Sequence, residues 1–370
     1  MQSTHRLPVD TVVLFGGYFG RSPMSKHSKD TERLQKIVQA FPNVTVTAVA
    51  DLVADEFVFG EISRVSREAP VLILKHRDRT VAPGGGANAI YNLAELGANV
   101  LPVGIVGDDE PGRLLLQRFR QKHIPTSGIL KLKGYSTVTK TRILAGSTHS
   151  GRQQVVRIDR EPQAGPEDDD LLRLVSSARE YAKASDALLI SDYGYGAATP
   201  KVLTFIRSNG ALNGLPVTLD SRYRLLQYSG ITAATPNEPE VEAALGTAIG
   251  NDSTRLFSAG KMLLDKMKLQ ALVITRGRDG MVAFARKRKP VEIPIHGSDE
   301  VTDVTGAGDT VIATFTAAIA VGADTESAAR LANYAGGVVV MKRGTATVSR
   351  QELLQAIEDT SLAPIPAKAT

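Results

Sequence analysis

"DVTGAGDT", residues 303–310, sets three small residues between two aspartates and runs straight into the apolar segment Val311-Ile312-Ala313-Thr314-Phe315. Gly306-Ala307-Gly308 therefore opens a predicted helix whose apolar positions continue through Ile319 and Ala320. The unpartnered N–H groups at a helix start, with the helix dipole behind them, attract an anion, and small side chains let it approach the backbone. Asp309 in that first turn is odd as a phosphate ligand, because like charges repel. It makes sense beside an anion hole if it takes a proton from an alcohol while the amides stabilise charge on a phosphoryl group under attack. An ordinary helix start, with Thr305 or Asp303 as cap and Asp309 favouring the dipole, explains the stretch equally well.

Upstream, apolar β-rich runs alternate with helical patterns. Strands are predicted at Val44 to Ala50, Asn99 to Val103, Ala187 to Ser191, Pro216 to Leu219, Ile231 to Ala234 and Ala271 to Thr275. Helices are predicted at 86–97, 110–121, 167–183, 199–209, 238–246 and 253–267. This rhythm argues for an α/β fold with a largely parallel sheet covered on both faces, with ligands at the strand ends. "EFVFG" with "PVLILKHR", and "STVTKTRILAG" with "RQQVVRID", interrupt it and read as short antiparallel strands of a small lid. Residues 17–30 are polar and Gly/Ser/Lys-rich, a flexible arm or small appended element, and "DTERLQKIVQAF" reads as a helix leading into the main domain.

Three further constellations could carry chemistry. In "APGGGAN", Gly84-Gly85-Gly86 permits a tight turn, and Asn88 at the next helix start offers an amide for vicinal hydroxyls; a plain loop-to-helix turn is the bland alternative. Asn237 and Glu240 face the same way on a first helical turn and could hold water-coordinated Mg²⁺ near phosphates, although an N-cap followed by acidic residues accounts for them too. "VITRGRDGM", with Thr275, Gly277 and Gly280, is either a nucleotide-contacting loop or a hairpin turn. There is no GxxxxGK[ST] and no early GxGxxG, which argues against a P-loop enzyme and a Rossmann dehydrogenase.

The 370 residues carry 44 basic and 39 acidic side chains, a net charge of +5 and a pI of about 9.3. The basic residues are scattered with no aromatic-interleaved run, so no nucleic-acid partner is expected. Without cysteine there is neither a disulfide nor a thiolate metal site, and the six histidines lack HExxH spacing. No apolar run approaches the roughly 18 residues of a membrane span. "TVVLFGGYF" lacks the flanks of a signal peptide, so a cytoplasmic protein without membrane partner is expected.

In this order the motifs resemble the ribokinase-like (PfkB-type) carbohydrate kinase family, from about Val44 to the "ELLQAIED" segment near 359. The resemblance implies a three-layer α/β sandwich with a β lid, ATP and Mg²⁺ as cofactors, and room for a monovalent cation. It implies Asp309 as catalytic base, Gly306, Ala307 and Gly308 as the anion hole, and Asn237 with Glu240 at magnesium and phosphate. Asp55, Gly84, Gly85 and Asn88 would bind the sugar, and Thr275, Gly277, Gly280 and Asn333 would border the nucleotide. On that division 1–43 is an N-terminal extension with a leading helix, 44–362 the kinase domain with lid strands at about 56–76 and 136–159, and 363–370 a tail. Edge strands of the lid invite a homodimer.

Within the family, "ISRVSREAPV", "TVTKTRILA", "QQVVRIDRE", "LISDYGYG" and "TATVS" look most like kinases acting on the anomeric oxygen of D-glycero-D-manno-heptose 7-phosphate, a step toward lipopolysaccharide. Lys140, Arg142, Arg157 and Asp192 would then line the acceptor site, and no chain remains for the nucleotidyltransferase domain many such kinases carry. The pattern departs at Tyr195, where a lysine is usual, and at Asp220-Ser221-Arg222, where Asp-Pro-Lys is usual; Asp51 is kept. The alternatives are a family kinase for another sugar, sugar phosphate or nucleoside, and a non-catalytic sugar- or nucleotide-sensing protein.

Overall fold

The computed structural model describes residues 26–146, 153–210, 212–297, 303–342 and 344–362. The main sheet grows on both sides of β1, Thr45–Ala50, whose side chains alternate between two cores: Val46, Ala48 and Ala50 enter one and Val49 the other. A parallel strand buried on both faces needs apolar residues at odd and even positions alike, as its sequence has.

Before β1 lies α1 (Lys26–Ala40). After it the chain leaves the sheet as β2 (Leu52–Val65), returns as β3 (Leu72–Gly85), and continues through α2 (Gly86–Glu95), β4 (Asn99–Gly107), α3 (Glu110–Gln121) and β5 (Ile129–Leu132). A second excursion, β6 (Val138–Gly146) and β7 (Gln153–Arg160), precedes α4 (Asp168–Ala182), β8 (Ala187–Asp192), α5 (Pro200–Arg207), β9 (Val217–Ser221) and β10 (Ala233–Ala234). Then come α6 (Glu238–Leu245), α7 (Ser253–Lys266), β11 (Ala271–Thr275), β12 (Met281–Ala285), β13 (Val291–Ile293), α8 (Ala307–Ala320), α9 (Thr325–Val340) and α10 (Arg350–Leu362).

Among the described residues the main sheet has nine strands in the order β13-β12-β11-β10-β9-β8-β1-β4-β5, parallel from β5 to β11 and antiparallel at β12 and β13. Strand order reverses between β1 and β8, so a crevice opens beyond their C-terminal ends. One core packs α1, α2, α3, α8, α9 and α10 on the sheet; the other packs α4, α5, α6 and α7. The predicted three layers are present. The leading helix α1 is no loose arm, because Leu34 and Val38 are buried in the first core, followed there by Phe41. Most of the polar stretch 17–30, and the tail 363–370, lie outside the described residues. β10 has two residues where four were expected, beginning at Ala233 and not at Ile231.

The lid differs from expectation in length and pairing. Its order is β3-β2-β6-β7, and β2 and β3 are each 14 residues long. The outer pairs are antiparallel, but β2 and β6 run parallel, from Val53 opposite Val138 to Glu61 opposite Gly146. Both leave the C-terminal side of the parallel sheet, β2 after β1 and β6 after β5, and so travel the same way. The glycine triplet is also not a loop turn. Gly84 and Gly85 end β3 opposite Val53 and Leu52, and Gly86 opens α2. A Cβ on Gly84 would stand 2.5 Å from the Asp55 carboxylate, and one on Gly86 2.6 Å from the Ala50 Cβ, so close approach explains these glycines.

Candidate active site

A cavity of about 670 Å³ lies between the lid and the ends of β9 and β11, and the start of α8 forms one wall. Asp309 reaches it from the first turn of α8 while remaining 3% exposed. Its Oδ1 accepts a hydrogen bond from the Tyr193 hydroxyl at 2.6 Å, and its Oδ2 accepts one from Asn88 Nδ2 at 3.0 Å. Burial pushes the carboxyl up to about 7, against those two donors, which favour the charged form. A carboxylate poised there can accept a proton at neutral pH.

The helix start is not an ordinary capped one. Its N-cap is Gly306, at φ +81°, with no side-chain cap, and Asp303 instead accepts from the Thr305 and Gly344 amides in the preceding turn. Gly306 and Gly308 face the cavity. The expectation of an anion hole made of three amides needs correcting at Ala307, whose N–H donates to Val304 O at 3.2 Å. Asn88 also differs from its expected role: Nδ2 is spent on Asp309 and Gly306 O, and Oδ1 accepts from Asn92, one layer behind the cavity wall. The packed starts of α2 and α8 bring these groups together.

Asp51, at the end of β1, shapes the opposite wall. Its carboxylate accepts from the amides of Tyr193, Tyr195, Ala197 and Ala198 at 2.8–3.2 Å, pinning the loop after β8. Burial raises this carboxyl to about 6 despite those bonds. Asp192 does not reach the cavity. Its carboxylate is taken by Gly194 N–H, Ser221, Arg224 and Tyr228 beneath the same loop, so it supports the wall and does not line it. Tyr195 turns its hydroxyl to Glu161 at 3.1 Å, away from the cavity.

The lid side is cationic. Arg142 pairs with Asp55 at 2.7 Å, and Asp55 also accepts from the Thr345 hydroxyl at 2.8 Å. Arg157 pairs with Asp159. Lys140, 8% exposed, holds Nζ 5.6 Å from the Tyr193 ring centroid, and Arg222 stacks over Tyr223. Among the described residues neither Lys140 nor Arg222 has an ion-pair partner. Burial lowers the Lys140 ammonium, and the charges of Arg157 and Arg222 lower it further.

The far end is acidic. Asn237 and Glu240 form a reciprocal capping box at the start of α6, so the bland reading of this pair holds in full, and both also line the cavity. Asp220 joins them from the end of β9. Its carboxyl is raised well above the usual range by burial and by the charges of Glu240 and Asp309. Glu240 is raised too, chiefly by burial. Among the described residues no three His, Asp or Glu groups form a direct metal site, yet two carboxylates whose burial disfavours their charge fit a divalent cation that keeps most of its water.

Thr275 reaches the cavity; Gly277, Gly280 and Asn333 do not. The first two belong to the β11–β12 hairpin turn, and Asn333 on α9 donates to Pro294 O at 2.8 Å.

A sequence profile of the pfkB family carbohydrate kinases matches residues 52–352. The chain belongs to that family. It is 37% identical over 330 residues to the bifunctional protein HldE of Pelobacter propionicus, covering 89% of this chain and 66% of that one. It is 39% identical over 312 residues to the HldE of Geobacter sulfurreducens, covering 84% and 62%. The kinase thus spans less than two thirds of the length of these relatives. Among solved structures, Arabidopsis thaliana ribokinase with ribose and ATP superposes with a TM-score of 0.66 at 20% identity, over 85% of this chain and 99% of that one. Escherichia coli phosphofructokinase-2 with substrates and products gives 0.68 at 18%, over 86% and 99%. These confirm the ribokinase-like fold of the kinase. Reading the sequence missed the roles of Tyr193 and Asp220 in the site, although "LISDYGYG" and Asp220-Ser221-Arg222 hold both residues just past or at a buried strand's end.

Proposed function

We propose that the kinase transfers the γ-phosphate of ATP to O1 of a sugar that already carries a phosphate, D-glycero-D-manno-heptose 7-phosphate. The observation that carries this reading is a pair of cavity-lining cations that have no ion-pair partner among the described residues, the buried Lys140 and the exposed Arg222. Burying the Lys140 ammonium is costly, the charges of Arg157 and Arg222 add to that cost, and a second phosphate on the acceptor would offset it. The lid and loop phrases "TVTKTRILA" and "LISDYGYG" support the heptose. The unusual Tyr195 does not weaken it, since its side chain lies outside the cavity.

Asp309 takes the proton from the acceptor hydroxyl as that oxygen attacks phosphorus, and the Gly306 and Gly308 backbone faces the charge developing on the phosphoryl oxygens. Asp55, held by Arg142 and Thr345, orients the sugar hydroxyls. Asn237, Glu240 and Asp220 form the pole where magnesium would neutralise nucleotide phosphates. The four-stranded lid excludes water from the transfer. A need for ATP and a sugar phosphate supports a cytoplasmic location. Val155, Val156 and Ile158 on the outer strand β7 are about half exposed, which supports a homodimer through the lid.

Coupled release of ADP across a panel of acceptors tests the reading. Heptose 7-phosphate should be turned over well ahead of unphosphorylated heptose, ribose and nucleosides, and Lys140→Met should raise KM for the phosphorylated acceptor by roughly tenfold or more. Equal use of an unphosphorylated sugar, with Lys140→Met indifferent, would refute it.

A further inference from the structure

Tyr193 lies where three parts of the site meet. Its hydroxyl donates to Asp309 Oδ1 at 2.6 Å, its ring lies under the Lys140 ammonium at 5.6 Å, and its amide is fixed to Asp51 at 2.9 Å. Asn88 grips the other Asp309 oxygen from α2. The carboxylate is therefore held from two sides, and each oxygen keeps a lone pair for an incoming proton. A phenol at that distance from a carboxylate makes a strong, charge-assisted bond.

We propose that Tyr193 is a positioning residue for the reaction, its phenol fixing the Asp309 carboxylate in the orientation that meets the acceptor hydroxyl. The inference rests on Asp309 being the base. The same bond keeps the base ionised. The groups that face Asp309 are Tyr193 and Asn88 as donors, Lys140 as a cation, and Asp55 and Asp220 as like charges. Burial and Asp55 oppose ionisation, while Tyr193 is the stronger of the two donors that favour it. Asp51 fixes the tyrosine backbone through the loop, so the phenol has little freedom to leave.

The test compares the whole enzyme with Tyr193→Phe, which keeps the ring beneath Lys140 and deletes the donor. The acid limb of kcat/KM should move to higher pH, and kcat should fall roughly 10- to 100-fold, the loss of one hydrogen bond to a charged group, while KM for ATP stays within about twofold. The Asp309 carboxyl carbon, assigned in NMR spectra by its loss in Asp309→Asn, should titrate at correspondingly higher pH. Should Tyr193→Phe fold poorly, 2,3-difluorotyrosine at position 193 keeps ring and hydroxyl, makes a more acidic donor and should move both midpoints down. An unmoved acid limb and an unmoved carboxyl titration would overturn the role of Tyr193. Full activity in Asp309→Asn would instead overturn the assignment of the base.

Discussion

Asp55 on β2 and Arg142 on the parallel neighbour β6 form an ion pair at 2.7 Å, with 5% and 13% of their side chains exposed. The second Asp55 oxygen takes the Thr345 hydroxyl from the segment joining α9 and α10, so one carboxylate ties the lid to the body. Removing one member of such a pair strands a charge. Arg142→Met should cost roughly 3 kcal/mol of folding stability. Adding Asp55→Asn should return part of that loss, and denaturant unfolding of the singles and the double gives the coupling. A strictly additive double would mean the two side chains do not interact in solution.

Asp309→Asn separates turnover from stability. Removing the base should lower kcat by roughly 10²–10⁴-fold while nucleotide still binds. Burial holds the Asp309 carboxyl at about 7 against an ordinary 3.8, so the folded protein binds more protons than the unfolded chain between those values, and stability falls as pH rises through that window. Asparagine carries no charge and escapes the loss. Thermal unfolding of the variant at pH 8 should occur at or above the parent temperature, with the difference closing toward pH 4. In the parent, kcat/KM for the acceptor should climb with pH through a midpoint near 7.

Gly306→Ala tests the turn that opens α8. The position sits at φ +81°, and a Cβ there would stand 2.5 Å from Asn88 Nδ2, the atom that donates to Asp309. Left-handed backbone costs a residue with a Cβ about 1–2 kcal/mol. The substitution should lower stability by that amount and also displace Asn88, so kcat should drop by roughly tenfold or more. Unfolding midpoints with steady-state rates show whether both effects appear together.

The layers of this fold were legible because parallel strands buried on both faces carry apolar residues at odd and even positions alike, as β1, β8 and β11 do. The partners of β2 were not. Alternating side chains specify which face of a strand is buried, but nothing local records that β6, some 80 residues on, leaves the sheet in the same direction. The same limit governs the site. Asp309 could be read as a base from its own turn, whereas the two side chains on its oxygens come from positions 88 and 193 and meet it only once α2, β8 and α8 have packed. Asn237 and Glu240 show local and tertiary roles coinciding: their spacing builds a capping box whatever else they do, and only the fold turns that box toward the cavity. Gly277, Gly280 and Asn333 show the reverse, since their residue types suit a nucleotide loop but their hydrogen bonds and turn geometry account for them structurally.

Glu240→Gln isolates the charge of that box from its shape. The Glu240 carboxylate accepts from the Asn237 amide at 2.9 Å, and a glutamine carbonyl can accept the same bond, so α6 should keep its cap. Burial already raises the carboxyl of Glu240, and a neutral side chain removes its repulsion with Asp220. Stability should therefore hold or rise slightly. If Glu240 helps place magnesium at the nucleotide phosphates, the concentration of magnesium giving half-maximal rate at fixed ATP should increase about tenfold, the usual scale for one charged contact. A Mg²⁺ titration of the rate that superposes on the parent curve would assign Glu240 to the helix cap alone and move the metal pole to Asp220.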